Sequence, residues 1–163
     1  MNRLVFVCMG NICRSPLAEV LARASLQRCG LGERLAVVSR GTHAYHLDHP
    51  ADPRSVTVAT RHGLDLSTHA SRLVLPGDFG AGDLLLVMDR RNLQDVRAKA
   101  PPHAVGRVRL LMDFAGKPGA EVPDPFYGTD RDFDHVFDML REGTEGLTKH
   151  LLRLHNAGVL NME

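Results

Sequence analysis

The chain has 163 residues, enough for a single domain over 1–163 with a substantial core, and its 20 Lys and Arg against 19 Asp and Glu leave a formal net charge of +1. That balance lacks the basic excess that nucleic acid or an anionic membrane surface would require. The first apolar run is too short for a signal peptide, no stretch approaches the ~18 apolar residues of a membrane span, and three cysteines without framework spacing argue against a disulfide scaffold, so a cytoplasmic location is expected.

Residues 3–8 (RLVFVC) read as a buried parallel strand. Residues 15–29 show helical spacing, with Leu17, Val20, Leu21 and Ala24 on one face, Ser15 as the capping region, Pro16 in the first turn and Gly30 at the stop. A second strand is predicted over 35–39, followed by a His- and Pro-rich loop over 41–52 and a helix over 53–62 with Val56 and Ala59 or Thr60 inward. The continuous apolar run at 83–88 (DLLLVM) predicts a strand covered on both faces. A helix over 91–99 ends at Pro101-Pro102, and a last strand is predicted over 108–112. After a loop over 116–128, a long helix starts near Thr129, with Phe133, Val136, Phe137, Leu140, Leu147, Leu151 and Leu154 in register and Gly143 and Gly146 interrupting the pattern. Alternating strands and helices predict a parallel α/β sheet, whose ligands bind beyond the carboxyl ends of the strands.

Cys8 sits at such an end, in VFVCMGNICRSP. A lone cysteine closing a strand is most often a small buried hydrophobe. Here five residues separate it from Arg14, and the loop runs into a helix N-terminus. A short loop wrapped around one centre turns backbone N–H groups inward, and the helix start adds its unpaired donors and positive dipole. Gly10 and Asn11 tolerate the left-handed backbone that a tight wrap requires. Arg14 can grip two oxygens of a tetrahedral oxyanion. The expected phosphate cradle is Met9, Gly10, Asn11, Ile12, Cys13 and Ser15, and the lysine and spacing of a nucleotide-binding loop are missing. The same donors favour the thiolate of Cys8 over the thiol, which points to phosphoryl transfer through a phosphocysteine. Expelling an alkoxide or phenolate also requires an acid. Asp124, stiffened between Pro123 and Pro125 beside Phe126 and Tyr127, is suited to that role.

With both motifs in view, the chain resembles the low-molecular-weight protein tyrosine phosphatases from end to end. The resemblance is carried by VCMGNICRSP, by ADPRS at 51–55, GLDLSTH at 63–69, VMDRRNL at 87–93 and VPDPFYG at 122–128. It implies a four-stranded parallel sheet in flavodoxin-like order with helices on both faces. It implies Cys8 as nucleophile, Arg14 as phosphate clamp, Asn11 and Ser15 as organisers of the loop, and Asp124 as general acid and then base. It implies Cys13 as a redox partner able to form a protective disulfide with Cys8. Tyr127 and the loop around Tyr45 and His46 would line the substrate cleft. His69 and Arg72 resemble a structural His-x-x-Arg pair, with Ser71 where alanine is expected. Phe126 stands where many members carry tyrosine. Ile12 is apolar where the phosphoarginine-directed branch resembles threonine, which favours aryl phosphate.

The implied partner is a phosphotyrosine-containing protein, acted on by a monomer or weak dimer without a cofactor. His43, His46 and His49 recur at three-residue spacing but fall in a loop without further ligands, and DRDFD at 130–134 lacks the glycine and distal glutamate of a calcium loop, so no metal is expected. Two competing readings are an arsenate reductase on the same fold and a non-catalytic phosphate-binding or redox-sensing module. The first would need relay cysteines downstream, where only Cys29 remains. The second has no use for a general acid.

Overall fold

The computed structural model describes residues 3–160. Four strands, β1 (Arg3–Cys8), β2 (Ala36–Gly41), β3 (Asp83–Val87) and β4 (Val108–Leu110), form one sheet in the order β2-β1-β3-β4, with every pairing parallel. This is the expected doubly wound α/β architecture. Four helices connect or follow the strands: α1 (Arg14–Arg28), α2 (Pro53–Arg61), α3 (Arg90–Lys99) and α4 (Asp130–Asn156). Strand alternation sorts the core. Leu4, Phe6 and Cys8 face the layer formed by α1, α2 and α4, whereas Val5 and Val7 face the α3 side with Leu85, Val87 and Val96. The register sets Cys8 opposite Gly41, so β1 and β2 end together. Because β2 and β3 flank β1 on opposite sides, the loop after β1 opens into the crevice where the winding reverses direction.

Several sequence expectations shift, among them the second strand, which runs over Ala36–Gly41 instead of 35–39. The helix α1 begins at Arg14 with Cys13 as its N-cap, so Ser15 lies in the first turn. Its buried face runs through Leu17, Ala18, Leu21, Ala22, Ser25 and Leu26, a stripe whose small residues an apolar count underweights. In α2, likewise, Ser55, Val58 and Ala59 are buried while Val56 is only partly so. The last strand stops at Leu110, and residues 111–115 instead form a 3-10 turn packed on α4.

That packing explains the two glycines that broke the helical pattern. The helix α4 runs unbroken for 27 residues. A side chain at Gly143 would meet Leu111 at 2.8 Å, and one at Gly146 would collide with the Phe114 carbonyl oxygen. Both positions need glycine for close approach rather than for backbone freedom. Asp130 and Asp132 occupy the first turn of α4 as expected for acidic residues at a helix start, and Asp132 also accepts the Thr129 N–H at 2.7 Å.

Candidate active site

The loop from Cys8 to Arg14 is held from outside through its carbonyl oxygens. Thr42 N and His43 N donate to the carbonyls of Cys8 and Met9, both at 3.0 Å. His69 Nε2 donates to that of Asn11 at 2.7 Å, Asp52 N to that of Ile12 at 2.8 Å and Ser55 Oγ to that of Cys13 at 3.4 Å. In a trans peptide the N–H points opposite to the C=O. Carbonyls turned outward at 8, 9, 11, 12 and 13 therefore turn the N–H groups of Met9, Gly10, Ile12, Cys13 and Arg14 toward the concave side. No side chain caps the first turn of α1 and no acidic residue occupies it, so its donors and dipole also face that concavity.

Asn11 makes the wrap possible. It adopts φ +57, in the left-handed region, whereas Gly10 does not. Gly10 leaves room for the His46 ring, which a Cβ there would approach to 3.0 Å. The Asn11 side chain donates to Ser15 Oγ (2.8 Å) and Ser39 Oγ (3.0 Å) and accepts the Arg72 N–H (2.8 Å). With His69 on its carbonyl, Asn11 is the keystone between the loop and the 69–72 segment. Arg72 contributes through its backbone, so the expected His-x-x-Arg pair meets the loop with one side chain and one amide.

Cys8 is 2% exposed and lies at the base of a cleft. Its Sγ is 3.0 Å from Ser15 Oγ. Because Asn11 donates to that hydroxyl, the single Ser15 hydrogen is left for the sulfur or for the Arg40 carbonyl at 3.3 Å, and a thiolate would be the stronger acceptor. Arg14 is also 2% exposed. Its Nη1 donates to Asp89 Oδ2 at 2.7 Å and to the Val122 carbonyl at 3.0 Å, and its Nη2 lies 3.7 Å from Asp124 Oδ2. Burial works against the guanidinium charge, but Cys8, Asp89 and Asp124 outweigh it and hold the Arg14 pKa above its ordinary value. A charged donor is thereby fixed beside the sulfur.

Asp124 stands at the cleft mouth with its side chain 43% exposed, and its Oδ1 accepts the Phe126 N–H at 3.1 Å. Met9, Gly10, Ile12, Cys13 and Arg14 line the cleft around Cys8, and Tyr45, His46, Phe126 and Tyr127 form its ring-bearing walls. Asn11 and Ser15, expected among the phosphate-binding residues, do not line it and brace the loop from behind.

A family model for low molecular weight phosphotyrosine protein phosphatases matches residues 3–156. The chain belongs to that family. A low molecular weight protein-tyrosine-phosphatase of Streptomyces coelicolor is 38% identical over 150 residues, 89% of this chain and 90% of its own. A protein tyrosine phosphatase of Entamoeba histolytica superposes with a TM-score of 0.87 at 33% identity, over 97% of this chain and 99% of that one. The arginine phosphatase YwlE of Bacillus subtilis superposes with a TM-score of 0.82 at 28% identity, over 93% of this chain and 96% of that one.

Three residues of this phosphatase-family site carry functions that sequence reasoning did not assign. Asp89 follows β3, accepts Arg14 through Oδ2, and caps α3 by accepting the Asn92 N–H through Oδ1 at 2.8 Å. A carboxylate just beyond the carboxyl end of a central strand was the available signal. Arg54 donates to the carbonyls of Phe126 (2.8 Å) and Gly128 (3.2 Å) and lies 4.3 Å from the Phe133 ring centre, bracing the loop that carries Asp124. Gly41 has no room for a side chain, which would meet the Met9 carbonyl at 2.9 Å.

Cys13 is buried, and its thiol pKa is pushed up, first by burial and then by the negative charge of Asp52 and of Cys8. Cys8 and Cys13 are both free thiols. Among the described residues no cluster of three His, Cys, Asp or Glu is placed to hold a metal ion, and no helix is long and apolar enough to cross a membrane.

Proposed function

We propose that this chain hydrolyses phosphotyrosine in proteins, and small aryl phosphates, through a phosphocysteine intermediate. The observation that carries the reading is the outward anchoring of the loop carbonyls around Cys8, which aims five backbone N–H groups at one point beside a buried arginine. The phosphate dianion enters this cradle with its ester oxygen toward the cleft mouth. The Cys8 thiolate attacks phosphorus, the S–P bond forms and the P–O(aryl) bond breaks, while Asp124 gives its proton to the departing phenolate. Asp124, now a carboxylate, takes a proton from water as the water oxygen attacks phosphorus. The S–P bond breaks, inorganic phosphate leaves and the thiolate returns. Fixed N–H groups and Arg14 bind the equatorial oxygens most strongly as charge spreads over them in each transition state. Ser15 donates to the sulfur whenever it is anionic.

The aryl preference is supported by the walls. Ile12, Tyr45, His46, Phe126 and Tyr127 offer ring and apolar surface, and among the described residues lining the cleft the one carboxylate, Asp124, faces Arg14 and takes the acid role. An arsenate reductase reading is disfavoured by Cys29. It closes α1 at its far end, about 22 Å of helix from the cradle, and its thiol donates to the Leu26 carbonyl.

The test compares wild type and Cys8→Ser on phosphotyrosine peptide, p-nitrophenyl phosphate, phosphoarginine and arsenate with a thiol reductant. Expected are aryl phosphate turnover by wild type alone, and phosphate binding retained by Cys8→Ser because the cradle is made of backbone. Wild-type-like turnover by Cys8→Ser rules out the phosphocysteine, and a preference for phosphoarginine or arsenate rules out the substrate class.

A further inference from the structure

The loop over 42–52 carries His46 to the cleft, and its ends are tied to the cradle through Thr42, His43 and Asp52. Between those ends it makes a turn in which the His49 N–H donates to the His46 carbonyl at 3.0 Å and Asp48 takes φ +60. That left-handed backbone is costly for most residues and holds only where its surroundings impose it. Among the described residues, four hydrogen bonds tie 46–49 to the rest of the chain, and all four end on Ser71. Asp48 N donates to the Ser71 carbonyl and Ser71 N to the His49 carbonyl, both at 2.9 Å. The His49 N–H also donates to Ser71 Oγ at 3.0 Å, and the Ser71 hydroxyl donates to the His46 carbonyl.

Two of these bonds use only backbone and would survive in alanine, the residue expected at 71. The other two need a hydroxyl that donates to one end of the turn and accepts from the other. Ser71 is 2% exposed, which leaves little access for water to replace it. The carbonyl it grips belongs to His46, whose ring lies over Gly10 and 5.7 Å from the Phe126 ring centre. His46 and Phe126 thus make one continuous shelf above the cradle.

We infer that Ser71 is a positioning residue: its hydroxyl fixes the His46 ring against Phe126, and the shelf so formed sets affinity for the aryl part of the substrate and not for its phosphate. This rests on the phosphatase reading for the nature of the ligand. The alternative is that Ser71 merely supports its own segment. The neighbouring Arg72 N–H donates to Asn11, the keystone of the loop, so a purely supporting role would loosen the cradle and weaken phosphate itself.

Benzylphosphonate, an aryl phosphate analogue that cannot be hydrolysed, and inorganic phosphate separate the two. Calorimetric titration of wild type, Ser71→Ala, His46→Ala and the double variant gives both affinities. Expected for Ser71→Ala is a loss of about five- to tenfold in benzylphosphonate affinity, the scale of one net hydrogen bond, with phosphate affinity within about twofold, since its cradle contacts stay in place. His46→Ala shows the same selective loss, and the double variant is no worse than His46→Ala, because Ser71 acts through that ring. With phosphotyrosine peptide, KM rises in Ser71→Ala while kcat holds. An unchanged benzylphosphonate affinity, an equal loss for phosphate, or additive losses in the double variant each overturn the inference. His46→Ala decides independently of how Ser71→Ala folds: if it leaves benzylphosphonate affinity unchanged, there is no shelf. Binding needs no turnover, so a wild type that binds both ligands and hydrolyses nothing defeats the phosphatase reading alone. A wild type that binds neither defeats both.

Discussion

Asp89 Oδ2 lies 2.7 Å from Arg14 Nη1, joining the end of β3 to the start of α1 beside the loop that follows Cys8. The pair is unequal, with Arg14 almost wholly buried and the Asp89 side chain 22% exposed. With the Val122 carbonyl on the same nitrogen, Asp89 fixes the guanidinium plane. Asp89→Asn keeps a good cap for α3 but removes the charge that holds this plane. A decrease in kcat on the order of 10- to 100-fold is expected, with helix content retained by circular dichroism. An Asn variant with wild-type kcat would show that Val122 alone suffices to orient Arg14.

Arg14→Lys tests the clamp directly. Lysine keeps a positive charge but cannot hold Asp89, the Val122 carbonyl and two phosphate oxygens with one planar group. The transition state should lose several kcal/mol, on the order of a thousandfold in kcat. Equal kcat for Arg14→Lys and wild type would remove Arg14 from that role.

The strands and the loop after β1 were legible because each has a local signature, whereas the strand order followed only from the family resemblance. Apolar runs marked β1 and β3, and C-x5-R before a helix marked the loop that turns its N–H groups inward. What stayed hidden depends on contacts distant in sequence. Asp89 and Arg54 reach Arg14 and the Asp124 loop across 75 and 72 residues, and no spacing rule connects them. Gly143 and Gly146 read as helix breakers because the collisions they avoid come from residues 111–114. Gly10 and Asn11 looked equivalent as turn formers. Only the assembled fold divides them into one left-handed residue and one that makes room for His46.

Asp124→Asn should depend on the leaving group. The substitution is isosteric, and the amide oxygen can still accept the Phe126 N–H that now meets Asp124 Oδ1. The Asp124 side chain is 43% exposed, so losing its charge 3.7 Å from Arg14 has a small, solvent-screened effect. What disappears is the proton. A phenol with a pKa of about 10 leaves poorly as its anion, whereas an activated phenol does not need the acid. The expected loss in kcat is large on phosphotyrosine and markedly smaller on p-nitrophenyl phosphate. Equal losses on both would place Asp124 outside the acid role.

Cys13 is expected to rescue Cys8 from peroxide, with a pH dependence set by its burial. Peroxide converts the Cys8 thiolate to sulfenic acid, and a second thiolate can displace hydroxide from that sulfur to form a disulfide that dithiothreitol reduces. Cys13 is the neighbour available, but burial and then the negative charges of Asp52 and Cys8 raise its pKa. A raised thiol pKa means a small thiolate fraction at neutral pH that grows as pH rises. Capture therefore competes better with further oxidation at alkaline pH, and the fraction of activity recovered by dithiothreitol should rise with the pH of peroxide treatment. Closing the bond also requires the two Cβ atoms to approach about 4 Å, and inorganic phosphate in the cradle should protect by covering Cys8. Cys13→Ser should make peroxide inactivation irreversible at every pH. If that variant recovers as fully as wild type, Cys13 serves only as the buried N-cap residue of α1.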